Sequence, residues 1–247
     1  MDPTQPTPAL DIQQLAKNYG KLPILQSLSL TVQRGECFGL VGKNGAGKTT
    51  LIKCLLNFCD IHSGAIQILG IPHHETRARR LLAYLPENFL PPHALTGRDF
   101  LQFMMALREL PYIEADASAH CVALDLESQA LARPARSYSK GMAQKLGLAA
   151  CFLSHAELFV LDEPMSGLDP KARALLKRQL ALLKQAGKTV FFSSHVLADV
   201  EEICDRMAIL HEGRLAFIGT PADCCAHYRA ETLEAAYLSC IGVEIPV

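Results

Sequence analysis

The sequence predicts an α/β fold with a mostly parallel sheet, and three observations carry that reading. Short apolar runs of strand length alternate along the chain with segments whose apolar residues recur every three or four positions. A glycine-rich stretch, Gly39 to Thr50, joins one such run to one such segment. The region from about Glu87 to Arg136 breaks the alternation, because it reads as helices alone between proline-containing turns, and is expected to form an inserted helical lobe.

Taken in order, Leu10 to Lys17 and Leu28 to Gln33 alternate apolar and polar residues as half-buried strands do. Cys37 to Val41, Leu158 to Leu161 and Thr189 to Ser193 are short continuous apolar runs, suited to strands covered on both faces. Helical periodicity runs through Thr49 to Phe58, Gly97 to Leu110, Gly141 to Leu153, Pro170 to Gln185 and Val196 to Ile203. Pro170 stands where a first helical residue belongs, since its missing N–H would have no intrahelical partner there. In the interrupting region, Thr96 to Leu110 and Ile113 to Leu124 read as helices. Arg206 to Leu210 and Arg214 to Ile218 flank a Glu212-Gly213 turn and predict a hairpin, and Pro221 to Leu238 predicts two short helices. The expected organisation is one domain over residues 1–247, with an α/β core of 1–86 and 137–247 and a helical insertion of 87–136.

Composition narrows the function classes. A chain of 247 residues can bury a sizeable core without disulfides. Its nine cysteines are odd in number, scattered and without a C-x-x-C pair, which suits a reduced compartment. A net charge of −1 and the lack of a long Lys/Arg cluster argue against a nucleic-acid groove. No apolar run approaches the ~18 residues needed to cross a bilayer. The opening, Met1 to Ala9, is rich in Pro and Thr without a basic or hydrophobic region, so the chain is expected to be neither secreted nor membrane-spanning by itself. Membrane association through another subunit stays open. Cys224, Cys225 and His227 lie close together, but without a second ligand pair they are expected to be ordinary helix surface or core rather than a metal site.

The glycine-rich stretch reads Gly-Leu-Val-Gly-Lys-Asn-Gly-Ala-Gly-Lys-Thr-Thr, and Gly42, Gly47, Lys48 and Thr49 fit G-x-x-x-x-G-K-[ST]. Glycines let backbone N–H groups turn inward around phosphate oxygens, and the N-terminus of the following helix adds its own donors and partial positive charge. Lys48 supplies a mobile cation for the outer phosphates, and Thr49 offers its hydroxyl to Mg²⁺. The candidate nucleotide contacts are Gly42, Asn44, Gly45, Ala46, Gly47, Lys48, Thr49 and Thr50. Downstream, Leu158-Phe-Val-Leu-Asp-Glu-Pro164 is an apolar run ending in two carboxylates, where ligands of open α/β sheets gather. Asp162 can hold Mg²⁺, directly or through water, and Glu163 can orient or deprotonate an attacking water.

Three further segments, Tyr138-Ser-Lys-Gly-Met-Ala-Gln144, Ser166-Gly-Leu-Asp169 and Ser193-Ser-His195, follow in order. With the phosphate loop and the Asp-Glu strand end they resemble the ATP-binding subunits of ABC transporters over essentially the whole chain, most like the export-type group that works with compact permeases. The resemblance implies a phosphate-loop NTPase core with a mostly parallel sheet, an N-terminal antiparallel β part and an inserted helical subdomain. It implies ATP and Mg²⁺ as ligands, Glu163 as catalytic base, His195 at the γ-phosphate and Tyr19 stacked on adenine. Ser139 and Gly141 would reach ATP held mainly by a second ATPase subunit, identical or related, and Asp169 would couple the two sites. The partner would be an integral membrane permease and no nucleic acid, and the location the cytoplasmic face of the cell membrane, peripheral through that permease. Two positions depart from the commonest pattern: Glu87 stands where glutamine is usual and is a candidate Mg²⁺ neighbour with Thr49 and Asp162, and Lys140 replaces a glycine in the signature, facing either phosphate or solvent. A soluble ABC ATPase and a non-hydrolysing regulatory subunit are the competing readings. The first lacks a second cassette or coiled-coil insertion here, and the second sits badly with Lys48, Asp162, Glu163 and His195 all present.

Overall fold

The structure, a computed structural model, describes residues 7–243. The reading of the Met1–Ala9 opening therefore lies mostly outside the described residues. In chain order, β1 (Leu10–Tyr19) and β2 (Leu22–Val32) form a hairpin with Leu10 opposite Val32. β3 (Cys37–Val41) leads into α1 (Lys48–Leu55). β4 (Ser63–Ile68) then pairs antiparallel with the free edge of β1, and the two-residue β5 (Ile71–Pro72) adds to β4. This gives an antiparallel sheet of order β2-β1-β4-β5.

After the short α2 (Thr76–Arg80) comes β6 (Leu82–Leu85). The chain then makes α3 (Gly97–Leu107), α4 (Glu114–Ala123) and two 3₁₀ turns at Ser128–Ala132 and Ala135–Ser137. α3 is started by a reciprocal cap, in which Thr96 accepts from the Asp99 N–H and the Asp99 carboxylate accepts from the Thr96 N–H. α5 (Lys140–Leu153), β7 (Leu158–Asp162), α6 (Pro170–Gln185), β8 (Thr189–Ser194) and α7 (Leu197–Ile203) follow. The chain then runs through β9 (Arg206–His211), β10 (Arg214–Gly219), α8 (Pro221–Tyr228) and α9 (Leu233–Cys240). The second sheet has the order β10-β9-β3-β8-β7-β6, parallel throughout except for β10. The fold is thus α/β with a mostly parallel sheet and an N-terminal antiparallel one.

The parallel strands read as continuous apolar runs because they are covered on both faces. Alternate residues enter different cores: Phe38, Val160 and Phe191 join the apolar residues of the antiparallel sheet and α1, whereas Val41, Phe159, Leu161 and Phe192 pack with α3, α5 and α6. Phe38 and Phe191 stack at 6.0 Å between centroids. Four elements carry no sequence expectation: β4, β5, α2 and β6. β2 also starts at Leu22, six residues before the alternation at Leu28 begins. Beyond α4, Asp125 adopts φ 60° and holds Lys145 of α5 (3.3 Å) and Lys171 of α6 (2.6 Å), fastening the helices to one another.

Candidate nucleotide-binding site

β3 is fully buried to Val41, and the chain then wraps from Gly42 to Gly47 into α1. Gly42 passes so close to β9 that a Cβ there would lie 2.5 Å from the Leu210 carbonyl oxygen. Gly47 takes the helix N-cap with φ 110°, a conformation L side chains rarely adopt. The result is a cavity of about 420 Å³ lined by Ile24, Lys43, Asn44, Gly45, Gly47, Lys48, Thr49, Thr50, Glu87 and Glu163. It lies at the carboxyl end of β3 and at the N-terminus of α1, where backbone donors and the helix dipole favour an anion.

The charged groups are held from below. Lys48, 6% exposed, donates to the Gly42 carbonyl at 2.6 Å, and its Nζ lies 3.3 Å from Glu163 Oε1. That oxygen makes no hydrogen bond within the protein. The other carboxylate oxygen, Oε2, lies within hydrogen-bonding distance of His195 Nδ1, 2.8 Å away. His195 itself is half exposed. Glu163 sits at φ 49°, in the left-handed region that costs a non-glycine residue about 1–2 kcal/mol. Ser193 pins it there: the Ser193 hydroxyl accepts the Glu163 N–H at 2.9 Å and donates to Asp162 Oδ1 at 2.5 Å. Asp162 is 1% exposed, at the end of β7. Burial, reinforced by the Asp162 charge, pushes the neighbouring Tyr84 phenol up to about 12, so it stays neutral.

Of the residues singled out in the sequence, Asn44, Gly45, Gly47, Lys48, Thr49, Thr50, Glu87 and Glu163 meet around this one cavity. Gly42 supplies the carbonyl that holds Lys48, and Ala46 is buried with the α1 core. Tyr19 stands apart at the end of β1, 49% exposed, with Lys17 Nζ 5.0 Å from its ring centroid. Ser139, Gly141 and Asp169 form a separate cluster. Ser139 caps α5, Asp169 caps α6, and Gly141 approaches the Gly167 carbonyl so closely that a Cβ would lie 2.9 Å from it. Lys140 is exposed, with its stem over Gly167 and its Nζ donating to Ser166 Oγ at 3.3 Å. Cys224 is buried in the core, and His227 packs on Tyr228 at 4.7 Å.

Sequence reasoning passes over Ser193, Ile24 and Lys43 as site residues. A hydroxyl inside an otherwise apolar strand is the available signal for Ser193, which the sheet sets in register with Asp162.

A glycine cradle at a helix N-terminus, a buried lysine and a carboxylate at the end of β7 in the same sheet define a phosphate-loop nucleotide-binding domain. The ABC transporter family matches residues 25–166, more than half of the chain, and the protein belongs to that family. It is 43% identical over 206 residues to an uncharacterised ABC transporter ATP-binding protein of Synechocystis, covering 82% of this chain and 58% of that one. It is 36% identical over 224 residues to the Nod factor export ATP-binding protein I of Rhizobium meliloti, covering 88% of this chain and 66% of that one. The chain thus spans about three-fifths to two-thirds of the length of these relatives. Among solved structures, an ATP-binding subunit of an ABC transporter superposes with a TM-score of 0.84 at 32% identity, over 94% of this chain and 99% of that one.

Proposed function

We propose that this chain binds Mg²⁺-ATP at the α1 N-terminus and hydrolyses it, and that an ATP-closed pair of such subunits powers a separate integral membrane permease. The observation that carries this reading is that Lys48 and His195 both contact Glu163, which lines the cavity with its Oε1 buried and free of hydrogen bonds beside the lysine. In this reading Glu163 takes a proton from the water that attacks the γ-phosphorus, and His195 orients that carboxylate. Lys48 and the α1 amides hold the phosphates, and Tyr19 stacks on adenine.

Thr49, Glu87 and Asp162 offer a hydroxyl and two carboxylates, the oxygen donors a hard cation takes. Mg²⁺ usually keeps several waters and substrate phosphates as ligands, so a few protein oxygens suffice to hold it. Bound there, it would neutralise charge on the outer phosphates. Ser139, Gly141 and Asp169, none of which lines this chain's own cavity, serve the nucleotide of the second subunit.

Export is the direction supported by relatives named for Nod factor export and, in Bacillus subtilis, for linearmycin resistance. No helix among the described residues is long and apolar enough to cross a membrane, so attachment to the cytoplasmic face would run through the permease. The docking surface is the helical subdomain, residues 87–136, where Leu90, Phe103 and Leu107 are exposed.

The test is Glu163→Gln. It should keep ATP binding, slow hydrolysis by roughly 10²–10⁴-fold, and yield an ATP-dependent dimer in light scattering. Unchanged hydrolysis in this variant removes Glu163 from the role of base.

A further inference from the structure

α1 carries the phosphate-binding loop at one end and a thiol pair at the other. Its C-terminus closes in a tight reversal: Asn57, at φ 57°, donates its N–H to the Cys54 carbonyl (3.0 Å), and the Phe58 N–H donates to the Lys53 carbonyl (2.8 Å). The reversal brings Cys59 back over the helix, and the Sγ atoms of Cys54 and Cys59 lie 3.6 Å apart. Cys54 is buried, whereas Cys59 is partly exposed.

The loop that carries Cys59 is tied to the end of β1. Lys17 Nζ donates to the Asp60 carbonyl at 2.5 Å, and the His62 N–H donates to the Ala16 carbonyl at 2.8 Å. The same Lys17 ammonium lies over the ring of Tyr19. A displacement of Cys59 is therefore passed within three residues of chain to the aromatic group proposed for adenine. Burial pushes the Cys54 thiol up to about 12, and Cys59, the more exposed of the pair, is the thiol an oxidant reaches first.

We propose that Cys54 and Cys59 form a dithiol–disulfide site that lowers ATP affinity when oxidised, by dragging the Asp60–Lys17–Tyr19 contact away from the nucleotide. The affinity part rests on the adenine role given to Tyr19 above. With hydrogen peroxide as oxidant, the Cys59 thiolate attacks one peroxide oxygen, forming S–O and breaking O–O to release hydroxide. The Cys54 sulfur then attacks Cys59 Sγ, forming S–S and breaking S–O, and its proton leaves with the oxygen. Two thiols and one peroxide give one disulfide and two waters. The sulfurs must close from 3.6 Å to about 2.0 Å.

The experiment treats the full-length folded protein with hydrogen peroxide, maps disulfides by mass spectrometry after blocking free thiols, and titrates a fluorescent ATP analogue before and after reduction. The expected result is a Cys54–Cys59 linkage with a roughly three- to tenfold loss of affinity, the worth of one aromatic contact. Dithiothreitol should restore the affinity, and Cys59→Ser should show no loss under peroxide. The proposal is overturned if peroxide oxidises other cysteines but leaves this pair unlinked, or if Cys59→Ser loses the same affinity. Tyr19→Ala in the reduced protein separates the two readings. Weaker binding in that variant, with no effect of the mapped disulfide, overturns the switch and keeps the adenine site; no effect of either overturns both.

Discussion

Glu163 is held more firmly than a strand-end carboxylate needs to be. Its left-handed backbone, the Ser193 hydroxyl under its N–H and the His195 ring on Oε2 together fix where Oε1 points. If Glu163 is the base proposed above, Ser193 is a positioning residue that acts through its neighbours. Ser193→Ala leaves the Glu163 N–H and Asp162 without their buried partner, at about 1–3 kcal/mol of stability. It should lower kcat on the order of tenfold with KM little changed, as expected when a catalytic group is misplaced while substrate binding is preserved. A KM increase with kcat intact would refute the assignment. Lys48→Ala addresses binding itself. At a hundred times Kd, Mg²⁺-ATP should stabilise the wild type by about 2.7 kcal/mol, a Tm rise on the order of 5–10 °C for this size, and the variant should lose most of it. Equal thermal shifts in the two proteins would disprove the phosphate site. At this scale the loop residues and the Asp-Glu pair are legible because their spacing is itself the chemistry. Ser193 is not, because its role depends on β8 lying beside β7, which no local pattern displays.

Among elements, the legible strands have long apolar runs or clean alternation, and those missed do not. β4 opens on Ser63 and Gly64 with exposed residues, and only Ile66 and Ile68 mark its buried face. β6 has four residues, too few to show a period, and is identified only by pairing with β7. In the helical segment the structure sorts the apolar residues near its entrance. Phe100 is buried and Phe89 packs on it at 5.5 Å, with Leu95 partly buried in the same core. Leu90, Phe103 and Leu107 are 72%, 50% and 63% exposed, and the last two are one turn apart on α3. If this face holds the permease, Phe103→Asp combined with Leu107→Asp should release the subunit from membranes in a co-purification assay while its Mg²⁺-ATP affinity in solution stays unchanged. Retention of the double variant on membranes, together with unaltered coupled hydrolysis, would refute docking there.

At the scale of the whole molecule, the sequence makes the fold class legible and leaves the strand order hidden. Alternation of apolar runs with helical periods implies a parallel sheet, but the order β10-β9-β3-β8-β7-β6 is decided by contacts between segments far apart in the chain. That order bears on how the protein is made. The antiparallel β1, β2 and β4 pair over short separations and are complete by Ile68. β3, which delivers the chain to the phosphate loop, emerges with them, yet both of its neighbours, β8 and β9, come from beyond residue 188. During synthesis the nascent chain is therefore expected to assemble its N-terminal sheet first, while β3 waits with two open edges until β8 and β9 have been made. Affinity for ATP is accordingly expected only after β8 and β9 flank β3, and a ribosome stalled before β8 is expected to hold a chain that contains the whole phosphate loop without binding the nucleotide.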